Sequence, residues 1–384
     1  MSANATWLRL IRELREAGTL PADWESAFAA FPRSQFLPER MWPMVDDGEY
    51  VSVDKVTGPA NWLRWAHADV PIVTQWDDGR HAGPDPGAEP TSSSSMPTMV
   101  AAMFADLDVA EHTRVLEVGT GTGWCAALVA ARLGETNVTS IEVDEGLAEA
   151  ARAQLKRAEI SPQIITGDGA AGWHAGAPYD RILATAAVRT LPPAWLDQTT
   201  PGGLIVVPWG TGYSQHDAIA RLTVDAHGTA GGFFTRGAGF MKLRAQRGAF
   251  PNHDEYLPGG EWPDDAREAE TSLTLEELKG PAEFVIGLRV RQITHTIHTG
   301  PDGTTTLLLY STTPGDRSWA AAFFCGDDCT EFLVYSGGPR DVWQEVEAAY
   351  RWWIEAGSPS IDRFGLTVGP EGHEAWLDTP DNPV

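Results

Sequence analysis

Val115-Leu116-Glu117-Val118-Gly119-Thr120-Gly121-Thr122-Gly123 reads as a buried hydrophobic strand running into three glycines at every second position, with a helix predicted from Trp124 to Leu133. Glycine is needed where a backbone turns sharply or must lie flat against a ligand, because any Cβ would collide. Glu142 then ends the next apolar strand, Val138-Thr139-Ser140-Ile141, 19 positions after Gly123. A carboxylate at that point can accept both hydroxyls of a ribose across the crevice of a doubly wound sheet. The spacing is Gly-x-Gly-x-Gly. Dinucleotide enzymes carry Gly-x-Gly-x-x-Gly, which would place a glycine at 124, where this chain has Trp124.

Working outward, strands and helices alternate in the rhythm of a parallel sheet. Strands are predicted at 114–118, 138–143, 163–166, 179–185 and 203–208, with helices at 124–133, 145–158 and about 192–198. Ala218–Val224 and Gly232–Thr235 are expected as two antiparallel edge strands. Upstream, residues 5–31 show helical spacing, a short helix is expected near Asn61–Ala66, and Trp76–Pro90 reads as a Gly/Pro/Asp-rich loop. Two expectations stand for that loop: part of a lid over a bulky peptide, or a disordered surface loop. Thr91 to Ser95 precede an apolar helix at 99–107, where serines are good N-caps.

Beyond Phe250 the pattern changes. A polar connection with Pro251, Pro258, Pro263 and an acidic helical stretch leads to an expected meander at 284–290, 294–298, 304–311, 319–324 and 331–335. A helix at 341–356 and two short strands, 364–368 and 374–377, follow. The fold class is therefore α/β, doubly wound and mostly parallel, with a smaller C-terminal α+β domain. The boundaries expected are 1–90 (N-terminal helical and substrate-side), 91–246 (ligand-binding sheet), 247–281 (linker) and 282–384 (C-terminal).

Composition narrows the function. The 384 residues suffice for more than one domain, and a hydrophobic fraction of 42% is that of an ordinary globular chain. No apolar run approaches a membrane span, and Met1-Ser2-Ala3-Asn4 lacks the start of a signal peptide, so a cytoplasmic protein without membrane contact is expected. Net charge is −25, of which −16 falls after residue 250. Such a field repels phosphate backbones and argues against a nucleic-acid partner. Cys125, Cys325 and Cys329 are too few, and odd in number, for a disulfide framework. Cys325-x-x-x-Cys329 has no partner pair, so buried thiols and no metal are expected.

Asp168-Gly169 follows the third predicted strand, where a carboxylate or backbone amide can read an adenine amino group. Thr185-Ala186-Ala187 closes the fourth strand with small side chains, which leaves room for reacting groups. The glycine spacing favours S-adenosylmethionine over a nicotinamide dinucleotide. A carboxylate acceptor, ionised above a pKa of about 4, needs no strong base, so such a site works by alignment and exclusion of water.

Taken together, the chain resembles the protein-L-isoaspartate O-methyltransferases, which have a Rossmann-like class I methyltransferase sheet. Residues 115–123 match that family's first motif. The resemblance continues through Gly167–Trp173, Ala177–Ile182, Thr185-Ala186-Ala187 and Pro201–Pro208. Upstream, Phe31-Pro32-Arg33-Ser34-Gln35-Phe36-Leu37-Pro38 is similar to the family's entry motif, and Phe240-Met241-Lys242-Leu243 to its closing one. The resemblance spans about residues 5–246. It implies that Ser95 and Ser93, in Ser93-Ser94-Ser95-Met96-Pro97, take the places of the family's catalytic serine and threonine. It implies cofactor contacts from Ser94, Glu117, Gly119, Thr120, Gly121, Thr122, Gly123, Glu142, Val143, Asp168, Gly169 and Thr185. Substrate contacts would come from Ser95, Ala186, Ala187, Met241, Lys242 and Leu243.

Three departures stand out. Lys242 replaces a proline, the segment between Gln75 and Ser92 is longer than usual, and the chain continues long after Phe250. The longer form is similar to methyltransferases of ribosomal peptide maturation, for graspetides, lanthipeptides and lasso peptides. It implies methylation of Asp in a modified precursor peptide, followed by aspartimide closure and, on hydrolysis, isoAsp. The alternative is repair methylation of isoaspartyl residues in damaged proteins. A third expectation, of another class, is a non-catalytic peptide adaptor that binds S-adenosylmethionine.

Overall fold

The computed structural model describes residues 3–45, 48–248, 250–260, 263–300, 303–325 and 330–384. Its largest sheet has nine strands in the order Gly372–Leu377, Phe364–Gly369, Ala230–Ala238, Asp217–Val224, Thr199–Trp209, Tyr179–Ala184, Val115–Val118, Val138–Glu142, Gln163–Thr166. The last five of these run parallel to one another, and every pairing from Thr199–Trp209 back to Gly372–Leu377 is antiparallel. Val115–Val118 lies inside the sheet with all four residues buried, as expected of a parallel strand covered on both faces. Chain order reverses between it and Tyr179–Ala184, which opens a crevice at the carboxyl ends of these two strands.

Helix Trp124–Leu133 starts from Gly123, whose φ of 82° no residue with a side chain adopts readily. A Cβ there would also press on Ala151 at 3.3 Å. Trp124 has a structural reason of its own. Its indole Nε1 donates to Phe31 O at 2.9 Å, and its ring meets Trp7 and Phe28 edge-on. These rings lock the helices Ala3–Glu16 and Glu25–Ala30 onto the first glycine-turn helix.

Several expectations need correction. Thr91–Ser94 do not cap a helix: they belong to the strand Pro90–Ser94, at the edge of a four-stranded sheet ordered Val53–Asp54, Arg40–Pro43, Ile72–Trp76, Pro90–Ser94. The boundary at residue 90 therefore cuts the start of a strand. The helix Pro97–Leu107 is capped from elsewhere, by Asp69, whose carboxylate accepts Thr98 N at 2.9 Å. Residues 284–290 form no strand but most of the helix Pro281–Arg289, whose Pro281 sits at a favourable first-turn position. Its apolar run is buried all round, and such a run does not distinguish strand from helix by period. The acidic stretch is the reverse case. Arg267–Thr271 is a strand, with four exposed residues, paired to Phe332–Gly337.

That pairing builds a five-stranded antiparallel sheet, Arg267–Thr271, Phe332–Gly337, Trp319–Phe324, Thr305–Ser311, Ile293–Thr299, packed under the helix Val342–Glu355. The segment 282–384 does not form one separate domain, because its last two strands extend the nine-stranded sheet. Phe364, Leu366, Val368 and Leu377 pack into the core beneath it. The pair 217–224 and 230–238 is thus internal, not an edge. Cys325 is exposed and disulfide-bonded, not a buried thiol; Cys329 lies outside the described residues. Among the described residues no helix is long and apolar enough to cross a membrane.

Candidate functional site

Two cavities open at the carboxyl edge of the parallel strands. The first, of about 320 Å³, lies over the glycine turn and is walled by Val118, Gly119, Gly121, Ile141, Glu142, Val143, Leu147, Asp168, Gly169, Thr185 and Ala186. The second, of about 540 Å³, is lined by Met44, Tyr50, Val73, Met96, Met99, Arg189, Gln215 and Phe240 among others. Ser93, Ser95, Met241, Lys242 and Arg247 line both.

The glycine turn lies flat because it must. Gly119 has φ 98°, and a Cβ on it would sit 2.9 Å from Thr185 Oγ1. That hydroxyl donates to Gly119 O at 2.7 Å and holds the turn against the fourth strand. Glu142 braces the other side: Gly121 N donates to Oε2 at 2.9 Å and Asp144 N to Oε1 at 3.1 Å. A carboxylate has about four acceptor positions, so both oxygens retain capacity for ribose hydroxyls. Asp168 is exposed and uses one oxygen on Ala170 N, at 2.9 Å. Next to it Gly169 packs so closely that a Cβ would lie 2.5 Å from Val118 Cγ1.

Other expected contacts lie outside the cavity lining. Thr120 is buried, its hydroxyl 2.6 Å from Ser140 Oγ, and Thr122 and Gly123 belong to the turn into the helix. Ser94 is buried with its hydroxyl unpaired and lines neither cavity, while its neighbours Ser93 and Ser95 line both. Ala187 is fully buried and acts through its backbone. Its N donates to Met241 O and its O accepts from Leu243 N, both at 2.8 Å, which anchors the Met241-Lys242-Leu243 segment between the cavities.

Glu117 is fully buried beneath the turn. Its carboxyl lies beside Ser140 and Cys125, yet neither oxygen has a hydrogen bond of normal geometry. Burial pushes its pKa from 4.5 up to about 7. The folded protein therefore keeps a proton that the unfolded chain releases, and stability falls as pH rises from 4.5 to about 7. The cost reaches about 3 kcal/mol above that window. Glu117→Gln is expected to remove this slope. Urea unfolding should show the variant gaining on the wild type at about pH 8 relative to about pH 5. An equal difference at both pH values would mean that Glu117 is ionised in the fold.

Two groups with no assigned role in the sequence shape the site. The Arg33 guanidinium, fully buried, donates to the carbonyls of Trp65, Ala66, Ala68, Val70 and Ser95 at 2.6–3.3 Å. Five acceptors match the five donors of the fork, and they fix the backbone of Ser95. Asp217, 1% exposed, holds Lys242 Nζ with both oxygens at 2.5 and 2.6 Å. No local signal joins these residues, which are 25 positions apart. Asp78 Oδ1 binds two residues of the first cavity's lining, Arg247 at 2.9 Å and Arg244 at 3.1 Å. The 77–89 loop is thereby tied to the rim of the site, its own ends closed by Asp77, which accepts from Ala88 N and Glu89 N.

The family described as protein-L-isoaspartate(D-aspartate) O-methyltransferase matches residues 84–229 of this chain. The chain is 32% identical over 213 residues to a protein-L-isoaspartate O-methyltransferase of Thermococcus onnurineus, covering 54% of this chain and 80% of that protein. It is 31% identical over 213 residues to the protein of the same name from Pyrococcus abyssi, covering 55% and 82%. A solved structure of a protein-L-isoaspartate O-methyltransferase aligns with 97% of this chain and 99% of that one, at 22% identity and a TM-score of 0.53, and so shares its fold.

S-adenosylmethionine is the cofactor of such enzymes, and the first cavity fits it. The turn admits no Cβ at Gly119, Glu142 is placed for a ribose, and Ile141, Val143 and Leu147 offer apolar walls beside Asp168 for an adenine. The chain belongs to the protein-L-isoaspartate O-methyltransferase family.

Proposed function

We propose that this protein methylates the carboxylate of an aspartate-derived residue in a peptide, with the isoaspartyl carboxylate as acceptor. Support comes from the relatives' activity and from one observation: a nucleoside-sized cavity and a peptide-sized one join at Ser93 and Ser95. When bound, S-adenosylmethionine supplies an electrophilic methyl carbon on a sulfonium. The protein's own residues do the rest. Glu142 and the glycine turn hold the nucleoside, and the Ser95 hydroxyl donates to one oxygen of the acceptor carboxylate, leaving the other free to attack. The 77–89 loop, tied to Arg244 and Arg247, bounds the site at its rim. As the new O–CH₃ bond forms the S–CH₃ bond breaks, and no proton has to move. Alignment carries such a reaction.

A second reading has its own support. Lys242 and Asp217 form a buried ion pair at the junction, and the appended five-stranded sheet lies beyond it. Both suit a constrained, ribosomally made peptide whose Asp is methylated. The backbone nitrogen of the following residue would then attack the ester, expel methanol and close an aspartimide.

Mass spectrometry decides between them. An isoaspartyl hexapeptide and a macrocyclic Asp peptide are incubated with enzyme and S-adenosylmethionine. Methylation of the hexapeptide is expected. Modification of the macrocycle alone supports the second reading, and a methyl gain on neither, with the donor bound, leaves the adaptor.

A further inference from the structure

The segment from Gly210 to Asp217 joins the strand Thr199–Trp209 to the strand Asp217–Val224, and both of its faces are occupied. On one face Gln215 lines the larger cavity, the Arg189 guanidinium donates to Thr211 O at 3.4 Å, and Asp217 grips Lys242. The other face meets the appended unit. Gly287, in the helix Pro281–Arg289, lies so near that a Cβ on it would collide with Thr211 Oγ1 and stand 3.1 Å from Tyr213 Cβ. Glu283, 6% exposed, accepts from His216 Nδ1 at 2.8 Å, and His295 Nε2 lies 3.8 Å from the same oxygen. Tyr213 is 1% exposed, its ring centroid 4.6 Å from that of His295. Its carbonyl accepts His295 N at 3.3 Å, which ties the segment to the edge strand Ile293–Thr299.

We propose that the appended unit sets affinity for the acceptor peptide through this segment, with Glu283 as a positioning residue that holds Gln215 and the Asp217–Lys242 pair in the wall of the larger cavity. The proposal rests on that cavity being the acceptor side, as in the proposed function. His216 meets the appended unit through Glu283, while its neighbours serve the cavity wall, Gln215 directly and Asp217 through Lys242. A close-packed segment of this kind cannot move on one face alone. Glu283 lines neither cavity, so its effect must pass through the segment, by way of His216 and Ser214. The His216 imidazole is held above its usual range by the Glu283 hydrogen bond, in keeping with a charged pair that pins the segment. The groups facing this pair are Asp217 and His295, together with Ser214 and Tyr213.

Glu283→Ala in the full chain tests this, assayed with whichever of the two peptides the wild type methylates. The acceptor KM is expected to rise roughly tenfold, with kcat and donor Kd by calorimetry within about twofold. Glu283→Gln, which can still accept from His216, should restore most of the loss. Gly287→Ala, which pushes on Thr211, should raise the same KM, and it serves alone if Glu283→Ala does not fold. Gly287→Ala combined with Thr211→Ala should recover it. An unchanged acceptor KM in the folded variants overturns the proposal, as does a fall in donor affinity matching the rise in KM. Failure of the wild type to methylate either peptide would instead overturn the function on which it rests.

Discussion

Ser95→Ala is expected to lower kcat about 100-fold while leaving the Kd for S-adenosylmethionine nearly unchanged. The Ser95 backbone is fixed independently of its side chain, because its carbonyl accepts from Arg33 Nη1 at 3.0 Å, so the alanine variant keeps the strand and the cavity. What disappears is one hydroxyl at the junction of the two cavities, where the acceptor carboxylate must be turned toward the methyl carbon. A misplacement of about 1 Å in such an alignment is sufficient for a loss of that size. Calorimetry for the donor and steady-state kinetics for the acceptor separate the two effects. Equal losses in both would place Ser95 in the nucleoside site instead of at the acceptor.

Gly119→Ala should act on the other half of the site. The new methyl would lie 2.9 Å from Thr185 Oγ1 on a backbone with φ 98°, so the turn must lift away from the fourth strand. Strain of this kind costs about 1–3 kcal/mol, and the displaced turn should reduce donor affinity about 100-fold or more. Gly134→Ala supplies the control. Gly134 has a similar φ of 89° but lies after the helix Trp124–Leu133, outside both cavities, with Asn137 Nδ2 at 3.7 Å. Both variants should lose thermal stability, and only Gly119→Ala should lose the donor. If Gly134→Ala weakened donor binding equally, the loss would reflect general destabilisation and the turn would have no special place in the site.

The parts of this protein readable from sequence are those whose physics is local. Three glycines at alternate positions after an apolar strand, and an acidic residue at the end of the next, specify a turn and its brace within one βαβ unit. The strands at 115–118, 138–142, 163–166 and 179–184 fall where their apolar runs predict. Thr91 to Ser95 misled, because a run of small polar residues before an apolar helix satisfies the rules for a cap and for an edge strand alike. Pairing with Ile72–Trp76 decides for the strand, and Asp69, 29 residues before Thr98, takes over the cap. The swap at 267–271 and 284–290 has the same origin. Charge and burial there follow from what each segment packs against, not from its own period.

Local sequence thus determined the parallel sheet, the glycine turn and Glu142, since these depend on backbone freedom and on neighbours within about 30 residues. Only the tertiary structure decided which residues meet across it. Arg33 with Ser95, Asp217 with Lys242, and Glu283 with His216 are joined over 62, 25 and 67 positions. It also carried the strands Phe364–Gly369 and Gly372–Leu377 back onto the nine-stranded sheet. The physical reason is common to all of these. A buried charge or an open sheet edge must find a partner, and nothing in the chain around it says how far away that partner lies.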